Sequence, residues 1–257
     1  MSEALREEGP AVVLVRPREE GNVGAAARAM ANMGLERLVL VEPAAEIGGV
    51  ARAFAVGARQ ILERSRRAAS LDEALGPFRR VVATTSTRDR SLQVPLLVPR
   101  ELPAALAVDP PGTPTALVFG PEVGGLTNDE LARASLVVHV PCAPVQPTLN
   151  LSQAVLLLAY ELYQARTSGG SEGGHRAAPG GGGEPPASTA ELEGLFGQLA
   201  ELLTRVGFAR DDSFSGVLRD LRQLAARAAP TEREVRILRG ICRRTGHAVA
   251  RSGDPEP

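Results

Sequence analysis

The 257-residue chain contains no lysine and no tryptophan, and only 3% of its residues are aromatic. A core must therefore be built from Ala, Val and Leu, and all 29 basic side chains are arginines. Arginine offers a planar fork that meets phosphate in two bonds at once, whereas lysine offers a point charge; genome composition produces the same bias. Cysteine is nearly absent. Cys142 and Cys242 stand far apart, with no paired spacing and no histidine cluster, which argues against a disulfide framework or a zinc site and suits a reducing cytoplasm. No apolar run reaches the ~18 residues that a membrane span needs. The acidic opening MSEALREEGP lacks the apolar stretch of a secretory signal. A net charge of −1 does not announce a nucleic-acid binder, but the charge is uneven. Eleven arginines face five acids between Arg205 and Arg251, a local excess of six.

Punctuation divides the chain. Residues Thr167–Ala187 read TSGGSEGGHRAAPGGGGEPPA, with almost no large apolar side chain, as a flexible linker does. His175 lies inside it as an ordinary linker residue. Before this stretch, short β runs (Val12–Val15, Leu38–Val41, Val81–Thr84, Ala116–Phe119, Leu136–Val140) alternate with helical stretches. Those helices are expected at Val23–Gly34, Val50–Ala68, Leu71–Leu75, Asn128–Ala134 and Leu151–Arg166. Apolar strands separated by helices predict an α/β fold with a largely parallel sheet. After the linker only helical periodicity remains, with capping boxes at Ser188/Glu191 and Thr231/Glu234. The expected organisation is a 1–166 catalytic domain, a 167–187 linker and a 188–257 all-α domain.

Three constellations can carry chemistry. The first, Glu20-Gly21-Asn22-Val23-Gly24-Ala25-Ala26-Ala27-Arg28, follows a strand and opens a helix. A dinucleotide-binding turn competes for it, and Glu42 ends the next strand where a ribose-binding acid would stand. The glycine spacing is G-x-x-G, however, not G-x-G-x-x-G. Plain close packing of small residues is the other reading, with Arg28 as the odd long cation. The second, Phe119-Gly120-Pro121-Glu122-Val123-Gly124-Gly125-Leu126-Thr127, leaves bare backbone amides after a strand; a structural turn explains it equally well. The third is Val140-Pro141-Cys142 followed by Thr148-Leu149-Asn150-Leu151-Ser152 at the start of the long helix. By itself it reads as a helix cap. Cys142 reads as a small buried residue.

Taken in order, N-x-G-x-x-x-R, F-G-x-E-x-x-G-L and Leu-Asn-Leu-Ser closely resemble the three motifs of SPOUT RNA 2′-O-methyltransferases. VLVRPREEGNVGAAARAMANMGLERLVLVEP, LNLSQAVLLLAYEL and LRDLRQLAARAAPTEREVRILRGICRRT are similar to the TrmJ branch in particular. The resemblance implies an S-adenosylmethionine-dependent tRNA ribose methyltransferase acting in the anticodon loop. It also implies a C-terminal trefoil knot, a homodimer and no metal. Arg28 and Asn22 would be catalytic. Thr85, Ser86, Thr87, Gly120, Glu122, Val140, Thr148, Leu149 and Asn150 would hold the cofactor, and the helical domain would grip tRNA. Ribosomal RNA as substrate, or an RNA-binding homologue without catalysis, are the alternatives. The chain departs from the family at Pro121, where arginine is usual, and at Gln146-Pro147-Thr148, where a Tyr-Ser-Ser-like run is usual.

Overall fold

The computed structural model describes residues 9–44, 47–86, 96–168, 185–208 and 213–252. A parallel seven-stranded sheet has the order β3-β2-β1-β6-β4-β7-β5. Its strands are β1 (Ala11–Val15), β2 (Leu38–Val41), β3 (Arg66–Ala68), β4 (Arg80–Thr85), β5 (Leu96–Leu97), β6 (Thr115–Phe119) and β7 (Leu136–His139). The first face is covered by α1 (Glu20–Asn32), α2 (Gly49–Phe54), α3 (Arg59–Glu63), α5 (Leu102–Leu106) and α7 (Leu151–Ser168). The second face carries only two short helices of this unit, α4 (Leu71–Leu75) and α6 (Asn128–Leu131). Strands β1, β2, β6 and β7 are buried along their whole length, as near-continuous Val/Leu runs require when both faces are covered.

The structure departs from the sequence expectation most in one stretch, and it adds strand β5 and helix α5, which were not expected. Val50–Ala68 was expected as a single helical run, but it forms α2, α3 and the edge strand β3. Gly57, at φ +75°, breaks the helix, and Arg66–Ala68 becomes a strand by pairing with Val39–Val41. Arg66 and Arg67 carry no strand signature; the partner strand imposes their conformation. Helix α6 also stops at Leu131 rather than Ala134, although its Thr127/Glu130 capping box is formed as expected.

The helical unit comprises α8 (Thr189–Arg205), α9 (Ser213–Ala228) and α10 (Glu232–Ser252). Ser188/Glu191 and Thr231/Glu234 both close as capping boxes. The unit is docked on the sparsely covered second face. The backbone amide and hydroxyl of Thr189 donate to the Phe78 carbonyl at 2.8 and 2.9 Å, and Ala226 packs on that face's core. Asp129 at the start of α6 accepts from Arg219 at 2.8 Å. Helix α7 runs to Ser168, and Pro186 and Ala187 are pinned by bonds from Arg79 and to Pro230. The segment expected as linker is thus ordered at both ends, and His175 lies outside the described residues.

Helices α1 and α2 pack unusually closely. A Cβ at Gly24 would stand 2.1 Å from the Ala51 carbonyl oxygen and 2.9 Å from the Phe54 Cβ. The small residues of the first constellation therefore serve helix–helix contact. We expect Gly24→Ala to cost about 1–3 kcal/mol, the usual range for forcing extra volume into a packed interior. Urea unfolding would show this as a lowered midpoint, and an unchanged midpoint would mean that the α1–α2 contact is not tight.

Candidate cofactor cleft

Strands β6, β4 and β7 are neighbours, and their carboxyl ends open into a cleft of about 320 Å³. In parallel α/β sheets this end is where ligands bind, because loops rather than side-chain layers border it. Of the residues expected to hold a cofactor, Thr85 and Ser86 border the cleft after β4, and Gly120 and Glu122 after β6. Val140 borders it after β7, with Thr148 and Leu149 ahead of α7. Thr87 lies outside the described residues. Asn150 stands beside the cleft, not in its lining. Cys142 was expected to be buried, yet it is partly exposed and lines the cleft together with Pro147. A cysteine three residues past the end of β7 gives no signal of this in sequence.

Gly120 shapes the floor. A Cβ there would come within 2.4 Å of the Leu126 amide nitrogen and 2.5 Å of the Gly125 carbonyl carbon. Gly124 and Gly125 sit at φ +86° and +62°, a region L side chains rarely adopt. The loop after β6 can fold back on itself only with these glycines.

The three constellations are joined by a directed chain of hydrogen bonds. Glu122 accepts from the backbone amides of Arg18 (3.0 Å) and Glu19 (3.2 Å), at the entrance to α1, and from the Asn22 side-chain amide (2.9 Å). A carboxylate only accepts, so it fixes which way the Asn22 amide points. The Asn22 oxygen is then left to accept from Asn150 Nδ2 at 2.8 Å. The Asn150 oxygen in turn caps α7, accepting from the Ser152 amide at 2.9 Å and its hydroxyl at 2.7 Å. Gln153 completes a reciprocal cap by accepting from the Asn150 amide at 3.2 Å. Helix α1 begins at Glu20 without a local side-chain cap, because Glu122, a hundred residues downstream, takes the amides at its entrance.

Burial pushes the Glu122 carboxyl up, but the bonds from Asn22, from its own backbone amide and from Arg18 and Glu19 outweigh burial and hold it below the ordinary carboxylate range. Arg28 is exposed, and its side chain makes no hydrogen bond or ion pair to another described residue. It follows Asn22 by six residues, so it projects about 120° away around α1 and about 9 Å along it. Asn22 and Arg28 therefore do not meet. Glu42, the acid that the dinucleotide reading needed, is exposed and lies 3.9 Å from Arg16. Among the described residues no group of three or more His, Cys, Asp or Glu side chains could hold a metal ion. No helix there is long and apolar enough to cross a membrane.

Because the folded carboxyl of Glu122 is depressed, its contribution to stability is present above the ordinary carboxylate pKa and is lost as pH falls through the depressed value. We expect Glu122→Gln to cost about 1–3 kcal/mol near neutrality, since an amide leaves the Arg18, Glu19 and Asn22 donors poorly matched. The gap between wild type and variant should narrow as pH falls below 4. Urea titrations at both ends of that range measure it, and a constant gap would show that the carboxylate charge plays no part.

The chain matches the SpoU rRNA Methylase family model over residues 9–160 and the C-terminal domain model of the tRNA methyltransferase TrmJ over residues 190–254. It is 38% identical over 230 residues to the tRNA (cytidine/uridine-2′-O-)-methyltransferase TrmJ of Cronobacter sakazakii, covering 90% of this chain and 93% of that one. The homologue of the same name from Salmonella typhimurium is also 38% identical, over 233 residues. Among solved structures, TrmJ from Zymomonas mobilis superposes with a TM-score of 0.80 at 33% identity, covering 93% of this chain and 99% of that chain. With the cleft at the carboxyl ends of β4, β6 and β7, and with both units matched, the chain belongs to the SpoU methylase family, in its TrmJ branch.

Proposed function

We propose that the protein transfers a methyl group from S-adenosylmethionine to the 2′-hydroxyl of a pyrimidine ribose in the tRNA anticodon loop. The observation that carries this is the cleft bordered by the second and third family motifs and tied to the first through the Glu122–Asn22–Asn150 chain. The residues present fit the cofactor. Gly120 lets the β6 loop fold back to form the floor, Phe119, Leu149 and Leu151 supply an apolar slot, and Thr85, Ser86 and Thr148 supply polar edges. When bound there, S-adenosylmethionine supplies an electrophilic methyl, and in-line alignment of the ribose oxygen with it accounts for most of the rate gain.

The chain's own part is orientation and charge. Arg28 is free to hold a phosphate next to the target ribose and to stabilise the developing alkoxide. Its guanidinium stays protonated at neutral pH, which makes this role cheaper than proton abstraction. Asn22, tied on both sides, holds the cleft wall. Arg28 does not border the cleft of its own chain, which fits a homodimer in which a second copy supplies it. Leu156, Tyr160 and Tyr163 form an exposed stripe on α7 suited to that contact. The trefoil knot is part of the same proposal. It is supported by the family resemblance and by strand order, since β7 lies between β4 and β5. The division into a 1–166 catalytic domain, a 167–187 linker and a 188–257 tRNA-binding domain also belongs here, as does a cytoplasmic location beside the substrate.

Transfer of labelled methyl from S-adenosylmethionine to tRNA and to ribosomal RNA, in the presence of chelator, tests the proposal. Label should enter tRNA at pyrimidine 2′-oxygens; label in ribosomal RNA alone, or none, would reject it. Arg28→Ala should lower turnover at least about a hundredfold, the scale of losing a transition-state donor. Cofactor affinity should stay within a few-fold, and Arg28→Lys should rescue poorly. Near wild-type turnover in both variants would remove Arg28 from the mechanism.

A further inference from the structure

Resting on the tRNA reading above, we infer that the edge formed by α2, α3 and β3 is a second RNA-contacting surface, outside the cofactor cleft and outside the helical unit. Five arginines stand between Arg52 and Arg67 against a single acid, Glu63. Elsewhere in the catalytic unit arginines are mostly tied: Arg16 to Glu130, Arg80 to Asp109, Arg133 to Asp72 and Arg166 to the Met33 carbonyl. Here the pattern reverses. Arg52, Arg59, Arg64 and Arg67 are exposed, and their guanidinium groups make no hydrogen bond or ion pair with another described residue. Four guanidiniums without a partner among the described residues stand together on this edge and offer their donors to an external polyanion.

This edge is continuous with the reacting end of the molecule. The exposed Phe54 ring lies against Gly21, 3.6 Å from where its Cβ would be, and the Phe54 Cβ meets Gly24. Gly21, Gly24, Ala25 and Arg28 share one face of α1 by their spacing of three, four and seven, so Phe54 and Arg28 flank the same stripe. An exposed aromatic beside free arginines is the pairing that holds unstacked bases and their phosphates. At the other end of the edge, a groove of about 830 Å³ at the amino ends of β1 and β2 is bordered by Arg37, Arg64 and Arg66. RNA seated on this edge would place a loop base on Phe54 next to Arg28 and run its backbone across Arg59, Arg64 and Arg67.

The test uses the full chain. Arg59→Ala/Arg64→Ala/Arg67→Ala is compared with wild type and with Arg100→Ala, an exposed arginine beyond β5 at the opposite sheet edge, in tRNA filter binding at several salt concentrations. Loss of three phosphate contacts should flatten the slope of log K against log salt by about 2–3 and weaken binding about tenfold or more. Arg100→Ala, S-adenosylmethionine affinity and oligomeric state should not change. Phe54→Ala should raise KM for tRNA about tenfold with kcat nearly constant, and Phe54→Tyr should restore it. Unchanged slope and affinity in the triple variant, with wild type still methylating tRNA, would overturn this inference alone. The same holds if the triple variant only aggregates, as expected if the arginines merely guard the β3 edge, or if Phe54→Ala dissociates a dimer. A wild-type protein that neither binds nor methylates tRNA would overturn both readings.

Discussion

The carboxylate of Glu122 is the fixed point on which the site depends. It accepts from the amides at the entrance of α1 and from Asn22, and through Asn22 it reaches Asn150 and the cap of α7. Each bond has one direction only, because a carboxylate cannot donate and an amide side chain has a donor end and an acceptor end. Three segments far apart in sequence are thereby held in one register. The glycines of the β6 loop let the carboxylate approach; the strands supply only the platform.

The sheet itself depends on a different constraint. Its first face is covered by five helices, but its second has only α4 and α6, with five and four residues. The helical unit completes that layer through Thr189, Ala226 and the Arg219–Asp129 ion pair. It is therefore a structural cover as well as a carrier of positive charge. The arginines of α9 that face the sheet are spent on Asp129 and Glu193, which leaves fewer of the eleven for RNA than the charge count suggests. The unpaired arginines of the α2–α3–β3 edge gain weight accordingly.

Much of this was legible in the sequence. Leu38–Val41, Leu71–Leu75 and the three capping boxes stand where propensity and cap chemistry put them, because local signals and tertiary context agree there. Apolar runs announced the parallel sheet. Edge strand β3 was not legible, since Arg66-Arg67-Ala68 has no β pattern and is shaped only by its neighbour. Among site residues, Thr85, Ser86, Gly120, Glu122, Val140, Thr148 and Leu149 come together at the cleft. The roles of Asn22 and Asn150 as links in one chain were hidden, because 128 residues separate them and no local pattern encodes their meeting. Arg28 and Asn22 share a motif but not a helix face, a distinction that helical periodicity carries and motif matching does not.

That the hydrogen-bond chain acts as a unit is the central claim, and a double-mutant cycle tests it most directly. S-adenosylmethionine affinity would be measured calorimetrically for wild type, Asn22→Ala, Asn150→Ala and the double variant. If the two side chains work through their shared bond, either single change should break the link. The double variant should then cost less than the sum of the singles, by about 0.5–3 kcal/mol. Strict additivity, or no effect of either change on affinity, would contradict the account.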